Sequence, residues 1–410
     1  MPPRKTLKAF LATARSAVAA PPSKRTTPLT FVVGNESADL DSLCSALLLA
    51  YLRTHSPPYK LHVPLCHIPR ADLELRPEFT AVLRDAAAAP EDVITLDDVP
   101  LFPDADSVQG QDQALRAEDT AWLLVDHNKL TGRLGAVYGE RVVGCVDHHA
   151  DEDAVPRDAR PRVITTSGSC ASLVVGEGRD AWAALRRSDG DGDGDDAGVD
   201  ARLAPLALGP ILMDTTNLGD KNKTTGHDEA AVTFLEEMVG DKRYERKAFF
   251  DRLTALKSDL SGMSIEGVLR KDYKEWRENG VRLGTSSVPQ GFAYLVQKAD
   301  GEAKLREEVR QWSARKGIDL VAVLTAFTET GNFKRELLVL ATSKAAVEAA
   351  KAFVKTNKEE LQLEPWGDRN LDAEGEGKSE GWERCWAQGA LRFSRKAIAP
   401  MLREAMKGQR

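Results

Sequence analysis

Short apolar runs in this chain end directly in acidic or imidazole side chains, and this pattern constrains the fold more than any other feature. One run, Leu29–Gly34, leads into the segment GNESADLDS, a second ends in DHN at 126–128, and a third ends in DHH at 147–149. Helical stretches lie between the runs, which predicts β-α-β units around a parallel sheet. Parallel strands end at the same edge of a sheet, so we expect these polar groups to lie close together.

The periodicity predicts an α/β fold of two domains, 1–225 and 226–410. The first is expected to be a mainly parallel sheet with helices on both faces, and the second a smaller mixed α/β domain. The strands expected in the first are Leu29–Gly34, Leu61–Leu65, Val93–Leu96, Ala121–Asp126, Val142–Asp147 and Arg162–Thr166. In the second we expect strands Val281–Ser286, Phe292–Gln297, Leu320–Phe327 and Glu336–Ala341.

Composition excludes several classes of protein. The net charge of the 410 residues is −7, which argues against a general nucleic-acid binder. No apolar run is long enough to span a bilayer, so we expect neither a nucleic-acid nor a membrane partner, and we favour a monomer. The five cysteines are scattered and form no CxxC pair, which predicts reduced thiols and a cytoplasmic location.

Two charged segments each allow two interpretations. The first 35 residues contain six Lys or Arg and no acid, which fits either a capping helix ahead of the first strand, the interpretation we favour, or a mitochondrial presequence. The segment SDGDGDGDDAGVD at 188–200 superficially matches a calcium loop. Counted from Asp189 as the first loop position, the eighth is Asp196 rather than an apolar residue and the twelfth, Asp200, is not the bidentate Glu, so we expect a disordered acidic surface insertion.

The acidic groups at the expected strand ends favour a metal site. Asp39 and Asp41 are two residues apart where a strand gives way to a helix, and such carboxylates repel each other unless cations neutralise them. A helix N-cap would explain one of them but not both. With the DHN and DHH segments and Asp214, the set suits Mg²⁺ or Mn²⁺ rather than thiolate-bound Zn²⁺. The number of candidate ligands favours two cations that share one aspartate.

Four segments resemble, in order, the four motifs of the DHH phosphoesterase superfamily. They are GNESADLDS, LLVDHN, VDHH and ILMDTTN. The chain is most similar to the cytosolic exopolyphosphatases of fungi, which are related to the family II pyrophosphatases and the prune-type phosphodiesterases. RKDYKEW at 270–276 and SRKAIAP at 394–400 resemble a DHHA2-type second domain, and the GGGH segment of the nuclease branch is absent from the sequence.

The resemblance implies a set of site residues. One cation would be bound by Asn35, Asp39 and Asp126, and the other by Asp41, Asp126, His148 and Asp214, with Asp126 bridging. Substrate phosphate would contact His149, Ser169, Lys271, Lys274, Arg395 and Lys396. Asp147 would orient an imidazole, or would simply cap a strand end. Asn35 departs from the pyrophosphatase pattern, which has histidine at this position.

The same resemblance implies the reaction. Linear inorganic polyphosphate would bind in a cleft between the two domains, and a water activated by two divalent cations (Mg²⁺, Mn²⁺ or Co²⁺) would release terminal orthophosphate. Asp126 and His149 are the expected catalytic residues, and His149 or a metal-bound water would protonate the leaving oxygen. Pyrophosphatase and nucleotide phosphodiesterase activities are the alternatives, and a non-catalytic interaction protein is a more remote one.

Overall fold

A computed structural model describes residues 4–101, 115–188, 196–239, 244–374 and 381–408. The chain divides into two compact units, Met1–Leu256 and Lys257–Arg410. Each unit is built around its own β-sheet, and the α/β fold class predicted from the sequence is confirmed. No helix in these described ranges is both long and apolar enough to cross a membrane.

The first unit contains a five-stranded sheet in which all strands are parallel. Its strands are β1 Leu29–Val33, β2 His62–Leu65, β3 Thr120–Val125, β4 Val142–Asp147 and β5 Arg162–Ile164. Their order is β2-β1-β3-β4-β5, so β1 and β3 lie side by side although the chain visits β2 between them. β1 and β3 are continuously buried, as expected of parallel strands with both faces covered.

Helices cover both faces of this sheet. They are α1 Leu7–Ala19, α2 Leu40–Thr54, α3 Pro77–Asp85, α4 Gly132–Tyr138, α5 Cys170–Ser188, α6 Asp196–Asp214, α7 Gly226–Val239 and α8 Arg246–Ser258. Alternate strand residues face different cores. Val32 and Leu123 pack against α2, α5 and α6, whereas Phe31 and Trp122 pack with Tyr138 of α4 on the other side. The sheet is therefore fixed by two separate apolar cores.

Helix α1 belongs to the packed core of the first unit. Its apolar side chains Phe10 and Leu11 are fully buried, and the Phe10 ring lies edge-on to Tyr51 of α2. On the polar side, Arg15 donates hydrogen bonds to Asp98 and to two backbone carbonyls. The basic N-terminal segment thus forms a packed helix, as the capping interpretation predicts.

The second unit contains a mixed seven-stranded sheet. Its strands are β6 Tyr273–Glu278, β7 Val281–Val288, β8 Leu320–Thr325, β11 Glu336–Ala341, β12 Leu363–Pro365, β13 Ala373–Glu374 and β14 Trp382–Gln388. The order is β12-β14-β11-β8-β7-β6, with β13 also paired to β14, and only β7 and β8 are parallel. A separate hairpin joins β9 Phe327–Glu329 and β10 Asn332–Lys334. The helices are α9 Ile265–Lys271, α10 Phe292–Ala299, α11 Glu302–Lys316, α12 Lys344–Leu361 and α13 Arg395–Lys407.

Three expectations about local structure need correction. The expected strand Val93–Leu96 makes only an isolated bridge, Thr95 to Cys66, before a 3₁₀ turn begins. The expected strand Phe292–Gln297 is the helix α10, because Phe292, Leu295 and Ala299 form one buried face at helical spacing. Of the expected acidic insertion, residues 189–195 lie outside the described residues, whereas 196–200 begin helix α6.

Candidate metal centre

The candidate centre lies where the connections of the parallel sheet change direction. After β1 the chain crosses to β2 on one side, and it later returns to form β3 on the other side of β1. This topology leaves a crevice beyond the carboxyl ends of β1 and β3, where open α/β sheets bind ligands. Asn35 follows β1 and Asp126 follows β3, so both residues enter this crevice. The side chain of Asp126 contacts Asn35 directly, as the strand order predicts.

Asp126 is the central carboxylate. Its side chain is almost fully buried and its backbone adopts φ 61°, a left-handed conformation that is unfavourable for a residue with a Cβ. One oxygen, Oδ2, accepts hydrogen bonds from Ser42 Oγ at 2.6 Å and from Asn35 Nδ2 at 2.8 Å. The other, Oδ1, lies 3.1 Å from Nε2 of His148. Only Oδ1 therefore remains directed toward the two histidines.

The histidines after β4 have different partners. His148 donates from Nδ1 to the carbonyl of Ser167 at 3.0 Å, which leaves Nε2 facing Asp126. His149 donates from Nδ1 to Oδ1 of Asp147 at 2.8 Å, and Asn128 donates to the other oxygen of Asp147 at 2.6 Å. Each imidazole is thus oriented by an acceptor behind it, which is the usual arrangement for histidines at a metal site.

The acids of the DLD segment differ in exposure. Asp39 is exposed and caps α2, because its side chain accepts a hydrogen bond from the Ser42 amide at 3.0 Å. Asp41 is buried and accepts hydrogen bonds from the amides of Cys170 at 2.6 Å and Ala171 at 2.9 Å. The role of helix N-cap therefore accounts for Asp39 but not for Asp41. Asp41 instead binds the first amides of helix α5 and anchors the start of that helix.

The electrostatics of the centre favour a bound cation. Burial, together with the charges of Asp39 and Asp41, raises the pKa of Asp126 to about 7. Although burial opposes the charged form of His148, the hydrogen bond to Asp126 and the charge of Asp41 raise the pKa of this imidazole to about 10. With Nδ1 bonded to a carbonyl, the contact of Nε2 with Oδ1 of Asp126 requires a proton between these two atoms. A divalent cation would replace that proton and neutralise the crowded carboxylates.

Asp126, His148 and His149 form a group that could hold a metal ion. One ligand atom from each lies within 4.8 Å of the others. Oxygen and imidazole donors without thiolate suit Mg²⁺ or Mn²⁺. The residues present therefore fit a divalent cation. Asp214, the last residue of α6, is half-buried and does not belong to this group.

The candidate phosphate-binding segment after β5 is tightly packed. Ser169 is fully buried, and its Oγ has no hydrogen-bond partner within the described ranges. Hydrogen bonds from Ser167, Gly168 and Ser169 converge on Asp228 of helix α7, whose role no sequence pattern had indicated. The segment also supplies the carbonyl that orients His148.

The four candidate cations of the second unit occupy two segments. Lys271 ends helix α9 and is buried, whereas Lys274 lies on the edge strand β6 and is exposed. Arg395 and Lys396 begin helix α13 after the N-cap Ser394. The guanidinium of Arg395 lies 2.7 Å from Oδ1 of Asp272 and donates to the Asp272 carbonyl at 2.8 Å. These contacts fix the guanidinium plane while using only two of its five N–H donors.

Sequence reasoning missed several residues that hold the centre together. Ser42, Asn128 and Asp228 are common polar residues, and the distances in sequence to their partners are 84, 19 and about 60 residues. The sequence places His127 in the DHN segment but assigns it no role of its own. It is tied by Nδ1 to the Val125 carbonyl at 2.8 Å, and burial lowers its pKa to about 4. Its position directly after Asp126 is the one sequence signal that could have identified it as part of the site.

Comparison with known proteins extends these observations to the whole chain. The model of the DHH family, N-terminal domain, matches residues 30–185, and that of the DHHA2 domain matches residues 251–405. A Schizosaccharomyces pombe protein named "Putative exopolyphosphatase" is 32% identical over 377 residues, which cover 92% of this chain and 91% of that protein. Exopolyphosphatase PRUNE1 of Homo sapiens is 26% identical over 385 residues, covering 92% and 76% of the two chains.

A similar fold is found among solved structures. The crystal structure of a Methanococcus jannaschii protein, titled "putative family II inorganic pyrophosphatase", superposes with a TM-score of 0.53 at 20% identity. The match covers 93% of this chain and 100% of the other. At this identity the likeness concerns the fold alone.

Proposed function

Because the chain belongs to the DHH phosphoesterase family, with a DHHA2 domain after the DHH domain, we propose that it is a metal-dependent exopolyphosphatase. The observation that carries the proposal is the group formed by Asp126, His148 and His149 at the crevice of a parallel sheet. The relatives that match over 92% of the chain carry the name exopolyphosphatase, which supports linear inorganic polyphosphate as the substrate.

The proposed cofactor is a pair of divalent cations, Mg²⁺, Mn²⁺ or Co²⁺. The proposed ligands are Asn35, Asp39, Asp41, Asp126, His148 and Asp214. The raised pKa values of Asp126 and Asp41 support this set, because cations would relieve their desolvation and mutual repulsion. In the structure Asn35 directs its Nδ2 to Asp126, while its Oδ1 accepts from the Ser37 amide. It would bind a cation only with the amide turned over.

Two side chains after strand β4, His149 and Asp147, are proposed to orient the substrate phosphate. Bound divalent cations supply charge neutralisation at the phosphoryl oxygens and lower the pKa of water that they bind. His149 is exposed and is held by Asp147 through Nδ1, so its Nε2 would be left to contact the substrate phosphate. When the ring carries a second proton, Nε2 can donate a hydrogen bond to a phosphate oxygen or transfer that proton to the leaving oxygen. Asp147 itself remains ionised, since its hydrogen bonds with His149 and Asn128 lower its pKa despite burial.

The second unit is proposed to bind the phosphate chain. Lys271, Lys274, Arg395 and Lys396 are the proposed contacts, with Ser169 of the first unit. Guanidinium and ammonium groups form charge-assisted hydrogen bonds with phosphate, and Arg395 is already fixed by Asp272. We assign cation binding to the first unit and much of the phosphate binding to the second.

The proposed location is the cytoplasm. All five cysteines are free and buried, which suits a reducing compartment. The packing of helix α1 into the first core supports its role as part of the folded domain.

The proposal is tested with purified full-length protein. Long-chain polyphosphate, pyrophosphate and a cyclic nucleotide are each incubated with Mg²⁺, Mn²⁺ or Co²⁺, and released orthophosphate and chain length are measured. We expect orthophosphate from polyphosphate, with progressive shortening from the ends and no release without cation. Preferential hydrolysis of pyrophosphate or of the nucleotide, or random internal cleavage, would contradict the proposal.

A further inference from the structure

Asp228 of helix α7 is a buried carboxylate that the proposed reaction does not use. Its side chain is fully buried, and the described residues give it no cationic partner. Burial alone would raise its pKa, yet the hydrogen bonds that it accepts lower it. A buried charge of this kind is costly unless many donors compensate for it, so the fold has a reason to keep this one in place.

The donors to Asp228 come from the segment 167–172, which we call the loop although it includes the first turn of helix α5, and from one residue just before α7. From the loop at 167–172, Ser167 Oγ, Gly168 N, Ser169 N and Ser172 Oγ donate at 3.0, 2.9, 3.2 and 2.6 Å. Thr225, just before α7, donates from its amide at 2.7 Å and from its hydroxyl at 2.8 Å. Six hydrogen bonds thus converge on two oxygens, which gives this carboxylate a complete set of acceptor contacts.

The same loop contacts two side chains of the metal centre. The carbonyl of Ser167 accepts the Nδ1 proton of His148, while Oγ of Ser167 is bound to Asp228. Two residues past Gly168, the amides of Cys170 and Ala171 donate to both oxygens of Asp41. The position of the loop therefore sets the direction of the His148 ring and of the Asp41 carboxylate at once.

The loop fits against Asp228 without spare room. A Cβ added at Gly168 would lie 2.6 Å from Cγ2 of Thr215 and 2.8 Å from Oδ2 of Asp228. A glycine is needed here because the backbone must approach the carboxylate closely. The loop position is thus defined by contact as well as by hydrogen bonds.

We propose that Asp228 is a positioning residue for the metal centre, which holds the loop at 167–172 so that His148 and Asp41 face the cation. It touches neither substrate nor cation and acts through Ser167, Cys170 and Ala171. This inference rests on the proposed divalent-cation site, but it does not depend on which phosphoanhydride is the substrate.

The test measures cation affinity in the full-length protein without any substrate. Asp228→Asn keeps the shape of the side chain but removes its charge and turns one acceptor into a donor facing the loop. We expect Mn²⁺ affinity, measured by competition with a fluorescent chelator, to fall about 10–100-fold, as is usual when residues behind metal ligands are changed. Hydrogen exchange of the peptide spanning 167–172 should accelerate, while that of strand β3 stays unchanged.

Asp200→Asn is the matched control. Asp200 is a buried carboxylate of helix α6 in the same unit, and it pairs with Arg4 and accepts from Trp182 away from the loop. Its replacement should lower the melting temperature but leave Mn²⁺ affinity within about twofold of wild type, as expected of independent sites. Equal losses of affinity in both variants would show a general loss of stability and overturn the proposal.

Gly168→Ala is the second variant, and it decides the question if Asp228→Asn fails to fold. It leaves every charge in place and displaces the loop by steric contact. We expect lowered Mn²⁺ affinity and faster exchange at 167–172. Wild-type affinity in a folded Asp228→Asn or Gly168→Ala protein would overturn the proposal. A wild-type protein that binds Mn²⁺ but does not hydrolyse polyphosphate would contradict the proposed function alone.

Discussion

At the scale of single residues, Asp126 combines features that few side chains share. It is buried, has a left-handed backbone, and uses one oxygen for Ser42 and Asn35 while the other faces His148. The backbone conformation turns the carboxylate toward the crevice, and the two donors leave one oxygen directed at the imidazole. A residue held in this way is pre-oriented before a cation arrives.

Asp126→Asn tests this role. The amide keeps the size of the side chain but removes the charge that a cation would neutralise. We expect Mn²⁺ affinity and polyphosphate turnover to fall at least about a hundredfold, since a lost cation clamp costs several kcal/mol and each 1.4 kcal/mol is a factor of ten. Asp119→Asn, at a residue that directly precedes strand β3 and pairs with Arg116, should change neither quantity. Turnover near that of wild type in Asp126→Asn would refute the assignment.

Gly34 affects the same carboxylate through packing. A Cβ at this position would lie 2.5 Å from Cβ and 2.9 Å from the backbone oxygen of Ser42. Gly34→Ala should therefore displace Ser42, weaken its hydrogen bond to Asp126 and lower Mn²⁺ affinity about tenfold or more. Calorimetric titration of Mn²⁺ checks this expectation, with Gly176→Ala as the control, since a Cβ there has no neighbour within 4 Å.

At the scale of elements, the strand ends of the first unit were predictable while two other elements were not. The strands that carry the site have long β-rich runs, and the polar residues follow at the strand ends because of parallel topology. The run at 292–297 was predicted wrongly because five consecutive apolar residues, 292–296, fit a buried strand and a buried helix equally well. The expected strand at 93–96 forms a single isolated bridge, from Thr95 to Cys66. Whether a segment finds a partner strand depends on the tertiary fold, and a local sequence pattern does not show it.

The hydrogen-bonding residues behind the site were unpredictable for a related reason. Ser42, Asn128 and Asp228 act through partners that are distant in sequence, and each residue type is common in turns and helix starts. The metal-binding candidates could be identified because acid and imidazole at strand ends are rare. Their supports could be identified only from the fold.

Helix α1 is anchored by a carboxylate that gives a pH-dependent prediction. Burial opposes the charge of Asp98, but hydrogen bonds from Thr95, Arg70 and Arg15 lower its pKa. A depressed pKa in the folded state stabilises the protein above the ordinary value of about 3.9, and this contribution is lost as pH falls through the folded pKa.

Asp98→Asn should therefore lower the free energy of unfolding by about 1–3 kcal/mol near neutral pH. The difference from wild type should shrink below about pH 4, where Asp98 of the unfolded wild-type chain begins to bind a proton, and should vanish below the depressed pKa of the folded state. Urea unfolding of both proteins across this pH range measures the effect. Asp180→Asn, an exposed residue of helix α5, should stay within about 0.5 kcal/mol of wild type at every pH. A difference that grows toward acid would contradict the argument.

At the scale of the whole molecule, cation binding is assigned to the first unit and much of the phosphate binding to the second. This division predicts that a change in helix α13 alters substrate affinity without altering cation affinity. Arg395→Ala should raise KM for polyphosphate about tenfold or more, since charge-assisted hydrogen bonds contribute about 1.5–3 kcal/mol, and leave Mn²⁺ affinity unchanged.

Arg403→Ala provides the matched control for this experiment. Arg403 lies on the same helix and pairs with Glu278 of strand β6, so its loss tests the effect of removing one arginine from α13. KM and Mn²⁺ affinity should both remain near wild type. Loss of bound cation in Arg395→Ala would show that the division between the units is wrong.

The five buried thiols make the folded chain resistant to alkylation. Burial raises the pKa of every one of them, that of Cys66 to about 12, so that neither access nor thiolate is available at neutral pH. Four of them, Cys44, Cys66, Cys145 and Cys170, belong to the first unit, and Cys385 belongs to the second. A thiol-reactive chromogen would therefore report opening of the first unit as four equivalents and opening of the second as one. The number of thiols that react first would therefore show which of the two units unfolds first.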